Sequence, residues 1–201
     1  MDLARPYADV LPGPRGAALA ALAALEKPVT VRALAREATV SPQGALRLVN
    51  ELAGAGLVTV EPAGRALMVA LNRDHLAVEA IVALLSIRSR LVGRLREKLA
   101  VWPGLAGAWL FGSAARGDGG AESDIDVLMV GDKVDSEAWD RATARLADQV
   151  QRWTGNPLQL VEHTRESFSQ LVKRRNRLIA SLRREGIALT DEAEQLLRGA
   201  A

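Results

Sequence analysis

The sequence contains no cysteine, which excludes disulfides, thiol catalysis and cysteine-ligated zinc. Long apolar runs are missing too. The longest, Ala77 to Ile87, is interrupted by Glu79 and is too short to span a bilayer. The opening Met-Asp-Leu-Ala-Arg-Pro has neither the basic start nor the apolar core of a signal peptide, so a cytoplasmic protein without a membrane partner is expected. Neither sign of charge dominates, the formal net charge being +2. With 201 residues, 49 % of them hydrophobic, the chain is too apolar for wholesale disorder and long enough for one large or two small domains. Aromatics make up only 3 %, and they are unevenly placed: Trp102, Trp109, Trp139, Trp153 and both phenylalanines lie beyond residue 101, with Tyr7 alone before it.

Charge divides at the same place. It is +1 over residues 1–72 (7 basic, 6 acidic), +3 over 73–101 (6 and 3) and −2 over 102–201 (13 and 15). A small aliphatic core followed by an aromatic-containing one suggests two packed units, with domains at 1–72 and 102–201 joined by 73–101.

In the first unit, residues 15–25 are rich in Ala and Leu and read as a helix ended before Pro28. Thr30 is placed to cap a helix from Val31 to Ala38, and Ser41-Pro42 to start a third. In that third helix Ala45, Leu48, Val49 and Leu52 share one face, while Gln43, Arg47 and Asn50 share the other. Leu57 to Val60 and Arg65 to Leu71 read as strands around a turn at Glu61-Pro62-Ala63-Gly64. The order of elements, with Leu-x-x-x-Gly-Leu-Val at 52–58, resembles the winged helix-turn-helix of transcription regulators. The resemblance implies a double-stranded DNA partner. Ser41, Gln43, Arg47 and Asn50 would face the major groove, with Arg65 at the wing tip and Arg32 near the backbone. The same polar residues also fit a solvated helix face.

Residues 73–101 read as one long helix with Asp74 as a candidate cap. Its first half is apolar nearly all round. Its second half sets Leu91, Val92, Leu95 and Leu99 against Arg88, Arg90, Arg94, Arg96 and Lys98. Two uses remain open for it, a homodimer seam and a clamp between the domains. Its arginines fit phosphate contact and plain solvation equally.

The most informative segment runs from Trp109-Leu110-Phe111-Gly112-Ser113-Ala114-Ala115-Arg116-Gly117-Asp118 to Ser123-Asp124-Ile125-Asp126-Val127. It reads as a buried strand that turns at Gly112 into a short helix, whose N-terminus at Ser113 favours phosphate. A second strand follows on which Asp124 and Asp126, two apart, share a face. Two neighbouring carboxylates need a cation to offset their repulsion, most simply Mg2+ held by oxygen ligands.

This run resembles the nucleotidyltransferase superfamily related to DNA polymerase β, in its minimal branch, over roughly residues 102–190. The resemblance implies that Gly112 and Ser113 hold a nucleoside triphosphate while Asp124 and Asp126 bind Mg2+ and serve as the catalytic pair. Arg116 would contact phosphate or fix the loop. Ser123 and Asp118 would chiefly stabilise the loop beside the nucleotide. The family's third carboxylate is expected at the second residue of Leu158-Gln159-Leu160-Val161, where this chain has Gln159, a poor magnesium ligand and a poor base. Glu162 lies three residues on, and strand alternation sends it to the opposite face. His75 and His163 are isolated, and Lys173, Arg174, Arg175 and Arg177 fit a wet helix face as well as a contact with nucleic acid or the triphosphate.

The expected class is α+β: an N-terminal winged helix, a long linking helix, and a C-terminal mixed sheet with flanking helices. Helices are expected at Ser136 to Trp153 and Glu166 to Arg184, and strands at Leu158 to Glu162 and Gly186 to Leu189. The expected function is a dimeric DNA-binding regulator whose second domain binds Mg-nucleotide. The alternative is an active enzyme moving a nucleoside monophosphate to a hydroxyl on protein, RNA or a small molecule. The resemblance extends that alternative to a toxin partner, since minimal nucleotidyltransferases are often antitoxins.

Overall fold

Proline and hydroxyl side chains set where the helices of the N-terminal half begin. Helix α1 (Gly13–Ala24) opens on Pro14, and α2 (Val31–Glu37) is capped by Thr30, whose Oγ1 accepts from the Ala33 N–H at 3.1 Å. Helix α3 (Pro42–Gly54) is capped by Ser41, whose Oγ accepts from the Gly44 N–H at 3.1 Å. These assignments come from a computed structural model that describes residues 1–25, 27–174 and 176–199. The chain packs as two units, one spanning Arg5–Ile87 and the other joining Met1–Ala4 to the chain from Arg88 on.

In the first unit Leu19, Leu22, Leu34, Val49, Leu52 and Val69 form the aliphatic centre between the three helices and a small sheet. That sheet has the order β1-β3-β2, with β1 (Val29–Thr30), β2 (Val58–Ala63) and β3 (Ala66–Leu71) all antiparallel. The hairpin turn is tighter than the four-residue turn expected at Glu61 to Gly64. Ala63 pairs with Ala66, so only Gly64, at φ +61°, and Arg65 close it. Pro62 is tolerated within β2 because that strand lies at the sheet edge.

The single helix expected over 73–101 is two. Helix α4 (Leu76–Leu85) ends at Ser86, whose Oγ turns back to the Ala83 carbonyl at 2.9 Å, and α5 (Ile87–Ala100) follows at once. The cap of α4 is His75 rather than Asp74, its Nδ1 accepting from the Ala77 N–H at 3.1 Å. The two helices serve different cores. Val78 packs with the first unit, whereas Leu91, Val92, Leu95 and Leu99 lie in the second.

The second unit is a four-stranded sheet of order β6-β5-β4-β7, built from β4 (Leu105–Phe111), β5 (Ile125–Gly131), β6 (Leu158–Thr164) and β7 (Ile187–Ala188). Only the β5–β6 pair is parallel. One face carries Ala108, Leu110, Ile125, Val127 and Met129 against α5 and α7 (Glu137–Thr154). The other carries Trp109, Leu128 and Val130 against α8 (Arg165–Lys173), α9 (Arg177–Glu185) and α10 (Ala193–Arg198). The one-turn helix α6 (Gly112–Arg116) stands at the end of β4. The helix expected over Glu166 to Arg184 is also two, because Asn176 caps α9 through its Oδ1 on the Leu178 N–H at 2.9 Å. Arg175 of the expected basic cluster lies outside the described residues.

Thr39, in the turn between α2 and α3, is the one non-glycine residue with positive φ, at 54°, among the described residues. A β-branched residue is strained there, and the site is exposed. Replacing Thr39 with Gly should stabilise this unit by about 0.5–1 kcal/mol, the left-handed penalty less the added chain entropy of glycine. Urea unfolding followed by circular dichroism measures it.

Candidate functional site

Strand pairing sets the site. Asp126 sits one residue inside β5, opposite Phe111 on β4 and opposite Gln159 on β6. Asp124 stands just before the strand. After Phe111 the chain turns at Gly112 with φ +65°, and a Cβ placed there would lie 2.2 Å from Asp126 Oδ2. Glycine at 112 is therefore required by the carboxylate of Asp126 as well as by the backbone angle.

The loop beyond is held by short-range bonds. The Ser113 carbonyl accepts from the N–H of Gly117 at 2.9 Å and of Asp118 at 3.2 Å. Gly117 ends α6 at φ +80°. Arg116 donates through Nε to Asp118 at 2.9 Å and through Nη1 to Glu185 at 3.3 Å. Glu185 also accepts from the Ser181 hydroxyl at 2.5 Å. The Ser123 N–H is bonded to the Gly120 carbonyl at 3.1 Å. Because α6 has five residues, few aligned peptide dipoles stand behind Ser113. An anion at this loop would rely on its N–H groups and on Arg116.

Two residues that sequence reasoning did not single out as site residues hold this loop from outside. Asn156, 1 % exposed, donates from Nδ2 to the carbonyls of Ser123 at 2.8 Å, Ala121 at 3.1 Å and Met1 at 3.2 Å. Arg88 donates from Nε to the Ala114 carbonyl at 2.8 Å and from Nη2 to that of Ala115, capping the C-terminal end of α6. The position of Asn156 between Gly155 and Pro157 marks a turn and nothing more. The arginines of α5 also find structural partners: Arg96 bonds the Ala188 carbonyl at 2.9 Å, and Arg94 lies 5.3 Å from the ring centre of Trp153.

Burial pushes the Asp126 carboxyl above its ordinary range, the charge of Asp124 pushes the same way, and Arg116 opposes both. This donor set suits a hard divalent cation. Two carboxylates within electrostatic reach of each other offer oxygen ligands, and a cation would relieve their repulsion. Among the described residues, however, no three His, Cys, Asp or Glu side chains form a metal-holding group. The position beside Asp126 is held by the neutral Gln159. Glu162 pairs with Met129 in an unbulged register and accepts from Trp139 Nε1 on the α7 side of the sheet, so it does not reach Asp126. His163 contacts the Ser167 hydroxyl at 3.2 Å, and burial lowers its pKa.

In the first unit Gln43, Arg47 and Asn50 are exposed along one side of α3, Arg32 is exposed on α2, and Arg65 is exposed at the hairpin turn. The Ser41 hydroxyl is engaged in its cap.

The mixed sheet with Gly112-Ser113 and the Asp124/Asp126 pair at the head of its central strands has the form of a nucleotidyltransferase core, and the first unit that of a winged-helix regulator. Family models agree. Residues 88–183 match the nucleotidyltransferase domain and residues 11–66 match the MarR family. One sequence thus carries a segment that matches a MarR-family winged-helix domain and a second that matches a nucleotidyltransferase domain. No curated protein matches it. Solved structures with partial similarity include the MarR family transcriptional regulator SPO1453 from Silicibacter pomeroyi DSS-3, at 27 % identity and TM-score 0.34, covering 42 % of this chain and 62 % of that one. The chain thus spans less than two thirds of that relative. Rv1404 from Mycobacterium tuberculosis has 19 % identity and TM-score 0.36, with 77 % and 83 % covered. A mutant of the toxin–antitoxin MntA–HpeT has 19 % identity and TM-score 0.35, with 55 % and 79 % covered. No helix among the described residues is long and apolar enough to cross a membrane.

Two outcomes test the geometry. With its pKa raised, Asp126 opposes folding when ionised and ceases to do so once protonated. Asp126→Asn should therefore raise the melting temperature at pH 7 without added metal, and the gain should vanish as the pH falls below about 4. Gly112→Ala should destabilise the second unit by about 1–2 kcal/mol for the left-handed angle alone. The clash with Asp126 adds to this, and pairing with Asp126→Ala should recover only that added part in urea unfolding.

Proposed function

We propose that this chain is a transcriptional regulator whose winged helix binds double-stranded DNA and whose second domain binds a Mg-nucleoside triphosphate as a signal, changing DNA affinity without rapid transfer chemistry. The observation that carries this reading is the partner of Asp126 on β6. There Gln159 supplies an amide where a third carboxylate would complete a catalytic metal site and activate a hydroxyl. Binding needs less. Asp124 and Asp126 would hold Mg2+, which neutralises phosphate charge. The backbone at Gly112, the Ser113 hydroxyl and N–H groups, and Arg116 would contact the phosphates, with Ser123 keeping the loop in place.

On the DNA side, Gln43, Arg47 and Asn50 would read the major groove, while Arg32 and Arg65 contact phosphates. Ser41 would act by fixing the start of α3. A homodimer fits this role, since a two-fold reader needs two half-sites. Helix α4 leaves Leu76 91 % and Val82 39 % exposed, an apolar surface for a second copy.

A second reading, transfer of a nucleoside monophosphate to a hydroxyl, is favoured by the intact Asp124/Asp126 pair. A toxin partner would belong with that reading. Gln159→Asp restores a carboxylate and separates the two. If the natural protein already labels an acceptor with radioactive nucleotide and Asp126→Asn abolishes the labelling, transfer is its activity and the signal reading fails.

Calorimetric titration with each nucleoside triphosphate and Mg2+ should give binding that Asp124→Asn/Asp126→Asn removes. DNA affinity measured by fluorescence anisotropy should change at least about 5-fold on saturation with that nucleotide. Equal affinity with and without it rules out the signal role. Arg47→Ala should weaken DNA binding by about 1–3 kcal/mol if the residue reads a base.

A further inference from the structure

The chain passes between its two units twice, after Ala4 and before Arg88. Both passages are bonded to the same short segment, the loop that carries Ser113 and leads to Asp124. At the first, the Ala4 N–H donates to the Gly119 carbonyl at 3.1 Å, Leu3 is 4 % exposed in the second unit's core, and Asn156 joins the Met1 carbonyl to those of Ala121 and Ser123. At the second, Arg88 is the first residue of the second unit after the passage. Its guanidinium holds the carbonyls of Ala114 and Ala115 and lies where a Cβ on Gly117 would meet Nη1 at 3.3 Å. Just before it, the break between α4 and α5 at Ser86 interrupts the helix, with the Ser86 N–H still bonded to the Val82 carbonyl at 3.1 Å.

We propose that Arg88 is a positioning residue for the loop from Gly112 to Ser123, and that Arg88 and the Met1–Ala4 segment together link the state of this loop to both passages into the winged-helix unit. The physical reason is shared bonding. A ligand that draws the N–H groups of this loop towards phosphate moves the carbonyls on which Arg88 and Asn156 hold. Those anchors are one residue away from, or joined to, the chain that enters the other unit. Energetic coupling requires only that the loop have two arrangements with different bonds to these anchors, and it is reciprocal, so DNA would also alter the loop. The link rests on the nucleotide reading above; the positioning role of Arg88 does not.

Amide hydrogen exchange on the full chain tests both parts. Without ligand, Arg88→Gln should speed exchange of the Gly117 and Asp118 amides at least about tenfold, because the carbonyl they share belongs to the helix that Arg88 caps. The Ala4 amide, at the other passage, should speed with them. Arg88→Lys should restore part of the protection, and Arg94→Gln, which removes the stacking on Trp153, should leave these amides unchanged. Unchanged Gly117 and Asp118 amides in Arg88→Gln overturn the positioning role, and an unchanged Ala4 amide overturns the link. With Mg2+ and saturating nucleoside triphosphate, the natural protein should gain protection over 112–123 and change exchange at Ser86. Arg88→Gln should keep the loop protection and lose the change at Ser86; the same change in both proteins overturns the link. If no triphosphate protects the loop of the natural protein, the nucleotide reading fails, and the ligand-free comparison alone decides this proposal.

Discussion

The carboxylate of Asp126 is the constraint around which the second unit is arranged. It lies inside a strand, beside the charge of Asp124, in a row with Phe111 and Gln159. Placing a charge there is unfavourable, and the surroundings answer it in three ways. Gly112 has no side chain, so the backbone can pass Asp126 Oδ2. Arg116 stands near enough to lower the Asp126 pKa, while Asp118 and Glu185 hold it in place. Two oxygen ligands remain available for a cation. The feature that destabilises the metal-free fold is thus the same one that would hold a cation under the function proposed above.

The positive charge of α5 has an ordinary structural use. Arg88, Arg94 and Arg96 lie on the polar side of a helix whose Leu91, Val92, Leu95 and Leu99 cover the sheet. Their guanidinium groups reach a helix end, an indole face and the Ala188 carbonyl. A planar group with several donors can satisfy carbonyls that no backbone N–H reaches, which a lysine would do less well. This places the helix in the nucleotidyltransferase fold, and the family match likewise begins at residue 88.

The winged-helix unit depends on less unusual devices. Hydroxyl caps at Thr30 and Ser41 satisfy the N–H groups at the starts of α2 and α3, and the left-handed Thr39 between them makes the turn that sets the helices against each other. With a near-balanced charge over residues 1–72, nonspecific attraction to DNA from this unit would be modest. Recognition would then rest on the few exposed side chains of α3 and the hairpin turn.

Local signals in the sequence were sufficient for much of this. Caps at Thr30 and Ser41, the turn at Gly112, the Ser136 start of α7, and the alternation that separates Glu162 from Asp126 are written in neighbouring residues, because they depend on hydrogen bonds and periodicities spanning a few positions. That Gln159 stands where the family's third carboxylate is expected was read through the resemblance, whereas its register opposite Asp126 came from the sheet. The breaks at Ser86 and Asn176 were not legible, since apolar periodicity runs through both: at Ser86 the two helices join different cores, and at Asn176 a side-chain cap starts a new helix against the same core. Nor was the use of Arg88, Asn156 and Met1–Ala4. Their partners lie 26 to 155 residues away along the chain, and a side-chain donor shows no preference in sequence for a carbonyl that distant. The residue types around Asp124 and Asp126 were decided by the sequence, while tertiary structure alone decided what holds their loop from outside, because Arg88, Asn156 and Met1–Ala4 come from segments that meet it only when the sheet has formed.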